Sequence, residues 1–159
     1  HLFLERDPAP EEIIDALEGF ERYREVVFCG LGEPTERLEP LKTVARFLKS
    51  KGVHLRLVTN GQGNLINDRP ILSELKSLID SVSVSLNTAA PKQYMELCRS
   101  RFGKEAFPAV IDFVKEAKKE IGSVEITAID MPQVNIARVR NLATELGASF
   151  RLRRFNQVG

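Results

Sequence analysis

The sequence predicts an α/β fold, a parallel sheet with helices packed on its outer face. Strand-like and helix-like segments alternate along all 159 residues, the pattern of successive βα units. Glycine, proline, asparagine or aspartate marks nearly every change of pattern. Several strands also alternate polar and apolar residues, so the sheet has one oily face and one polar face.

The segment Pro8-Ala9-Pro10-Glu11-Glu12 opens an amphipathic helix with Ile13, Ile14, Leu17 and Phe20 at helical spacing. An apolar strand, Val26–Cys29, then stops at Gly30-Leu31-Gly32-Glu33-Pro34-Thr35. Leu38–Lys51 reads as a helix with Leu41, Val44, Ala45 and Leu48 on one face and Gly52 as its stop. Strand His54–Thr59 ends in Asn60-Gly61. Asp68 is placed as the cap of a helix that holds Pro70 in its first turn and runs to Ile79. Strand Ser81–Leu86 leads through Asn87–Ala90 into a helix from Pro91, interrupted at Phe102-Gly103. Glu105–Ile121 is a long helix stopped by Gly122, with Pro108 compatible with its first turn. Strand Ser123–Ile129, helix Asn135–Leu146 with Gly147 as stop, and strand Ala148–Phe155 complete the set.

Composition bounds the function. With 43% hydrophobic residues the chain can bury the core of one domain, and nothing marks a linker or a low-complexity tract. A net charge of +1, with no block of like charge, carries no electrostatic footprint of a nucleic-acid binder. No stretch approaches the roughly 20 apolar residues of a membrane span, and none reads as a signal peptide. Cys29 and Cys98 lie far apart and form no CxxC pair, which argues against a disulfide framework and for a reducing, cytoplasmic setting. Each is read as a small buried hydrophobe.

On the strands, Val82, Val84 and Leu86 oppose Ser81, Ser83, Ser85 and Asn87, and Leu55 and Leu57 oppose His54 and Arg56. Likewise Val124, Ile126 and Ala128 oppose Glu125 and Thr127, while Phe150 and Leu152 oppose Arg151 and Arg153. A closed eight-stranded barrel fills its interior with branched apolar side chains. A polar inner face implies instead a partial, wider barrel with a wet or ligand-holding interior. The other reading is a one-layer sheet whose bare face meets solvent or a partner, and both stay open.

Gly30, Gly32 and Glu33 stand at the carboxyl end of a strand, where α/β proteins bind ligands. The glycines let a ligand approach the main chain, and Pro34 fixes φ and withholds an N–H, so the loop stays open. Other constellations fail. Gly30-x-Gly32-x-x-Thr35 is no dinucleotide fingerprint, because Pro34 spoils the tight strand–turn–helix geometry. Gly61-Gln62-Gly63-Asn64 lacks the Lys-Ser/Thr of a phosphate-binding loop. His1 and His54 are too few for a metal site or a triad, and Lys115–Glu120 is a solvated helix face.

Three strings occur in order, one βα unit apart: Phe28-Cys29-Gly30-Leu31-Gly32-Glu33-Pro34-Thr35, Leu57-Val58-Thr59-Asn60-Gly61, and Ser83-Val84-Ser85-Leu86-Asn87-Thr88-Ala89 with Tyr94. Together they resemble the radical S-adenosylmethionine (SAM) enzymes, nearest to the radical SAM proteins associated with TatD-type nucleases. The resemblance covers essentially the whole chain, starting just after the family's first loop. It implies a partial (β/α)6 TIM-like barrel of which residues 1–159 are a core-domain fragment, strands two to six, with the first strand missing. It also implies a [4Fe–4S] cluster held by three cysteines spaced C-x3-C-x2-C. SAM would bind the fourth iron, and one electron would release a 5′-deoxyadenosyl radical that abstracts hydrogen from an unknown substrate. The chain contains no C-x3-C-x2-C, and Cys29 and Cys98 do not replace it. The expectation is a fragment whose cluster-binding segment lies before His1, and which by itself holds no cluster and does not turn over.

Position by position, the resemblance assigns Gly30, Gly32 and Glu33 to the amino group of SAM, with Leu31 where the family's GGEP string has its first glycine. Carbonyls and a carboxylate accept hydrogen bonds from an ammonium. Thr59 and Asn60 fall on the pocket wall, an Asn-Gly turn being the other reading. Ser85 and Asn87 match the strand end that contacts the ribose hydroxyls, and Thr127 and Met131 the flank of the adenine. Arg153 is placed to meet the SAM carboxylate or an anionic substrate, its plainer reading being a solvated strand-edge arginine. No residue of the chain is assigned a catalytic or metal-binding role. The implied partners are a small-molecule or protein substrate and a TatD-type hydrolase, separate or fused. The second function class is a non-catalytic, degenerate barrel acting as a ligand-binding or interaction module. A three-cysteine loop upstream of His1 separates the two. Apolar surface left where the first strand belongs is expected to make the chain associate.

Overall fold

The computed structural model describes residues 6–30 and 32–154. The expectations for His1–Leu4, for Leu31 and for the end of the last strand at Phe155 lie outside the described residues.

Five segments form one parallel sheet in the order β1-β2-β3-β4-β5. They are β1 (Val26–Phe28), β2 (Leu55–Thr59), β3 (Ser81–Ser85), β4 (Val124–Ile129) and β5 (Ser149–Arg153). Their register lines apolar residues up in rows: Leu57 pairs with Val82, Val84 with Ile126, and Ile126 with Phe150. Polar residues line up between them, as in Ser83 with Glu125 and Thr127 with Arg151. Sequential order with right-handed crossovers sends every connecting helix to the same face. That face is the oily one. Leu55, Leu57, Val82, Val84 and Ile126 are buried against Val44 and Leu48 of α2 (Leu38–Ser50) and Val110, Phe113 and Val114 of α6 (Ala106–Glu120). Val139 and Ala143 of α7 (Ile136–Glu145) complete this layer. Burying one such side chain contributes about 1.5–3 kcal/mol, so these rows hold the strand ends in place.

The opposite face carries charges paired across strands. Arg56 lies 2.6 Å from Glu25, and Glu125 accepts hydrogen bonds from Ser83 Oγ and from Arg151 Nε, each at 2.9 Å. The polar face expected from alternation is therefore present, and its charges pair along the sheet, although the buried Nε of Arg56 has no hydrogen-bond partner.

Three elements differ from expectation. The first helix, α1, spans only Pro10–Asp15. Gly19 then turns left-handed (φ 66°), and Phe20 enters a 3-10 turn that sets its ring edge-on to Phe47 at 6.1 Å. Of the helix placed from Asp68 to Ile79 only the single turn α4 (Leu72–Leu75) forms, and another single turn, α3 (Gly63–Ile66), precedes it, with Asp68 at φ 52° between them. The reason is side-chain competition for the backbone. Asn64 Oδ1 accepts from the Ile71 amide at 3.0 Å, and Asn67 Nδ2 donates to the carbonyls of Gly63 and Thr35 at 2.8 and 2.9 Å. Ile71, Leu72 and Leu75 are still fully buried, so the apolar pattern was real while the helix was not. The last strand ends, within the described residues, at Arg153. The helix predicted from Pro91 is α5 (Pro91–Cys98), and Asn135 caps α7 by accepting from the Arg138 amide at 3.1 Å.

A polar knot fastens α4 to α2. Lys42 reaches both Glu39 and Glu74 at 2.6 Å, and Arg69 Nε donates to Glu74 at 3.0 Å. The hydrogen bond from Arg69, then that from Lys42, pulls the Glu74 carboxyl down from 4.5 to about 2. A depressed carboxyl stabilises the fold above its unfolded value and loses that contribution as pH falls through its folded value. Stability should therefore decline between about pH 4.5 and 2, and Glu74→Gln should flatten this part of the acid unfolding curve. Urea midpoints measured across that range would check it.

Candidate functional site

The end of β1 is held by one carboxylate. Glu33 precedes the 3-10 turn Pro34–Arg37, and its side chain caps that turn by accepting from the Thr35 amide at 3.1 Å. The same oxygen, Oε1, accepts from Thr35 Oγ1 at 2.7 Å and from Thr59 Oγ1 at 2.8 Å. Oε2 accepts from the Asn60 amide at 2.7 Å. Glu33 thus ties the end of β1 to the end of β2, with Thr35 fully buried beneath it. A carboxylate oxygen offers about two lone pairs. Oε1 is saturated, whereas Oε2 has room for one more donor.

Around that oxygen opens a cleft of about 540 Å³. Its walls are Cys29, Gly30, Gly32, Glu33, Val58, Thr59, Asn60, Ser85 and Arg153. The two glycines do no packing: a Cβ on Gly32 would meet nothing within 4 Å, and one on Gly30 would find only the Gly32 amide nitrogen, at 3.7 Å. Their main chain is open to a ligand, for which lack of a side chain is the requirement. Gly61 is different. It is left-handed (φ 77°), and a Cβ there would lie 2.9 Å from methyl groups of Val84 and Val110. Asn60 Oδ1 accepts from the Gln62 amide at 2.8 Å, so the Asn-Gly turn and the pocket wall are one structure.

Arg153 enters the cleft from the far edge of the sheet. It forms no ion pair among the described residues, unlike Arg56 and Arg151 on the same face. The cleft therefore presents an acceptor with spare capacity and a cation.

A second cavity, of about 400 Å³, adjoins the first through Asn60 and Ser85. Asn87, Gln62, Tyr94, Cys98, Ser100 and Arg101 are on its wall. Gln62 Nε2 donates to the Tyr94 hydroxyl at 2.9 Å, and Ser100 Oγ donates to Gln62 Oε1 at 2.6 Å. Burial, more than any other influence, pushes the Tyr94 hydroxyl up to about 12 and also raises the Cys98 thiol. Both groups are protonated at neutral pH and act as polar wall, not as nucleophiles. Asn87 adopts φ 64°, a left-handed geometry that asparagine tolerates.

Thr127 and Met131 do not line the cleft that gathers Gly30, Gly32, Glu33, Thr59, Asn60, Ser85 and Arg153. Thr127 is buried on the sheet, its carbonyl accepting from the amides of Leu86 and Asn87. Met131 packs against the core, and its sulfur takes a long contact from Gln133 Nε2 at 3.8 Å. Sequence reading missed Thr35 and Gln62. A buried threonine two residues after a capping glutamate was a local signal for the first. Gln62 meets its partner Tyr94 from 32 residues away, so nothing local announced it.

No known family model and no curated protein matches the chain. Among solved structures it is similar to Streptococcus suis SuiB, with a TM-score of 0.72 and 19% identity over 97% of this chain and 35% of SuiB. SuiB bound to the precursor peptide SuiA aligns at 0.73 and 17% identity over 99% of this chain and 35% of that one. SuiB bound to S-adenosylmethionine aligns at 0.73 and 19% identity over 99% and 36%. The likeness is one of fold, an α/β arrangement with a five-stranded parallel sheet flanked by helices. The chain spans about a third of SuiB's length.

Among the described residues no group of three or more His, Cys, Asp or Glu side chains could hold a metal ion. These residues do not fit an iron–sulfur cluster. The amino-acid end of SAM does fit them, with an open glycine backbone, an acceptor and a cation around one cleft. No helix among the described residues is long and apolar enough to cross a membrane.

Proposed function

We propose that this chain is the SAM-binding part of a radical SAM enzyme. The observation that carries the reading is the cleft itself. Gly30, Gly32, Glu33, Asn60, Ser85 and Arg153 come from separate strand ends and meet around one space. The fold shared with SuiB, which has been solved with S-adenosylmethionine bound, supports it. Glu33 Oε2 and the loop carbonyls take the ammonium, and Arg153 takes the carboxylate. Ser85 and Asn87 face the ribose, with Asn60 between the two cavities. Thr59 acts through Glu33, whose Oε1 it holds.

In a radical SAM enzyme, cluster and cofactor together supply a radical that abstracts hydrogen from substrate. The residues of this chain bind and orient the cofactor; the three cluster cysteines belong to polypeptide outside it. On the strength of its three strings the parent protein stands nearest the TatD-associated group. A TatD-type hydrolase is its proposed partner and a reducing cytoplasm its compartment.

Binding is tested on the chain itself by calorimetry with SAM. Gly32→Ala places a methyl group in open space, so it should leave the melting temperature unchanged while weakening SAM at least tenfold. An unchanged affinity would remove the glycine loop from the site. Cys29, read from the sequence as buried, is exposed on the cleft wall, so its alkylation reports occupancy. Saturating SAM should slow alkylation of Cys29.

A further inference from the structure

β5 has an open outer side. It pairs with β4 alone, in register from Glu125 with Ser149 to Ile129 with Arg153. The Arg153 carbonyl accepts from the Asp130 amide at 2.8 Å, so Arg153 turns its backbone groups toward β4. Along a strand in a parallel pair, the N–H and C=O of one residue point to one side and those of the next to the other. Arg151 therefore faces β4 as Arg153 does, whereas the amides and carbonyls of Phe150 and Leu152 point outward. Among the described residues nothing hydrogen-bonds to them. Such a row is a template for another strand.

The side chains beside this row are basic. Helix α7 and residues 149–154 together hold five arginines and one glutamate. Among the described residues only Arg151 of the five has an ion pair, with Glu125. Arg140 lies over the Phe150 ring, 4.9 Å from its centroid, which brings a cation to the edge. Leu152 is 41% exposed, although Leu55 and Leu57 on the inner strand β2 are fully buried. A second copy is a poor occupant, because two β5 edges brought together set arginine against arginine, and facing like charges destabilise a strand pair. A nucleic acid would meet the arginines and leave the outward amides and carbonyls without strand partners.

We propose that the outer edge of β5 docks an extended, acidic segment of a partner protein, added to the sheet as a further strand. Main-chain hydrogen bonds to Phe150 and Leu152 supply the pairing, and carboxylates on the added strand meet Arg140 and Arg154. An apolar residue between those carboxylates covers Leu152. The proposal is independent of the SAM reading, since it uses the outside of the sheet edge and none of the cleft's free acceptors.

The test is residue-resolved hydrogen exchange and fluorescence anisotropy on the whole chain, with a short blocked peptide that alternates glutamate and valine. Controls are the same peptide with lysine for glutamate, the acidic peptide N-methylated at alternate amides, and a single-stranded oligonucleotide. In the free chain the amides of Phe150 and Leu152 should exchange fast and those of Arg151 and Arg153 slowly. The acidic peptide, at about ten times its Kd, should slow Phe150 and Leu152 about tenfold. Neither the lysine peptide nor the N-methylated one should do so. Arg140→Glu with Arg154→Glu, both at exposed positions, should keep the melting temperature and weaken the acidic peptide about tenfold. Equal binding of the lysine peptide, or binding that leaves Phe150 and Leu152 unprotected, overturns the proposal. So does protection that grows with protein concentration without peptide, which would make a second copy the occupant, or binding of the oligonucleotide in place of the peptide. Binding of none of the probes overturns it as well, and leaves the arginines as guards against edge pairing.

Discussion

Replacing Glu33 by alanine lowers the stability of the chain by about 3 kcal/mol, a fall of roughly 6–12 °C in melting temperature. The substitution strips the acceptor from the amides of Thr35 and Asn60 and from the hydroxyls of Thr35 and Thr59. Such donors, partly or wholly buried, cost more when left unpaired than a hydrogen bond adds when made. Glu33→Gln separates the fold from the ligand. Its amide oxygen can still serve the Thr35–Thr59 side, while its NH2 must then face the Asn60 amide, so stability falls by only about 1–2 kcal/mol. On the proposed reading, in which the ammonium of SAM meets a negative acceptor at the Oε2 position, SAM affinity should drop at least tenfold. A Glu33→Gln variant that binds SAM as well as the parent chain would show that Glu33 is a structural brace and nothing more. Calorimetry beside thermal melts settles it.

Gly61→Ala destabilises by a comparable amount, about 2–6 kcal/mol, for a reason unconnected with ligand. The residue is left-handed, and its added methyl would sit 2.9 Å from side-chain methyls of both Val84 and Val110. Backbone strain and overpacking each cost about 1–3 kcal/mol. Val110→Ala should recover part of the loss, because it vacates one of the two contacts, and a double-mutant cycle measures the coupling. Additive losses would mean that the backbone conformation alone decides.

The two glycine-containing turns look alike in sequence and differ in what they do. Gly32 is open to solvent and serves the cleft, whereas Gly61 is wedged between β3 and α6 and serves the core. Neighbouring residues do not reveal the difference, because the atoms that crowd Gly61 lie 23 and 49 positions along the chain at Val84 and Val110. The same limit explains the misplaced helix at 68–79. Asn64 and Asn67 spend their side chains on the backbone of Ile71, Gly63 and Thr35, and that choice depends on the loop from β1 lying alongside. Where periodicity was long, as in α2, α6 and the strands, reading and structure agree within a residue or so at most ends.

By itself the sequence determined the parallel α/β order, the polar and oily faces, and the place of Gly30, Gly32 and Glu33 at a strand end, because each depends on spacing along one segment. Only the tertiary structure decided that Glu33 is a brace with one lone pair to spare. It also brought Arg153, from the opposite edge of the sheet, into the same cleft. Those facts depend on which strand ends meet around one cleft, and that is a property of all five strands together.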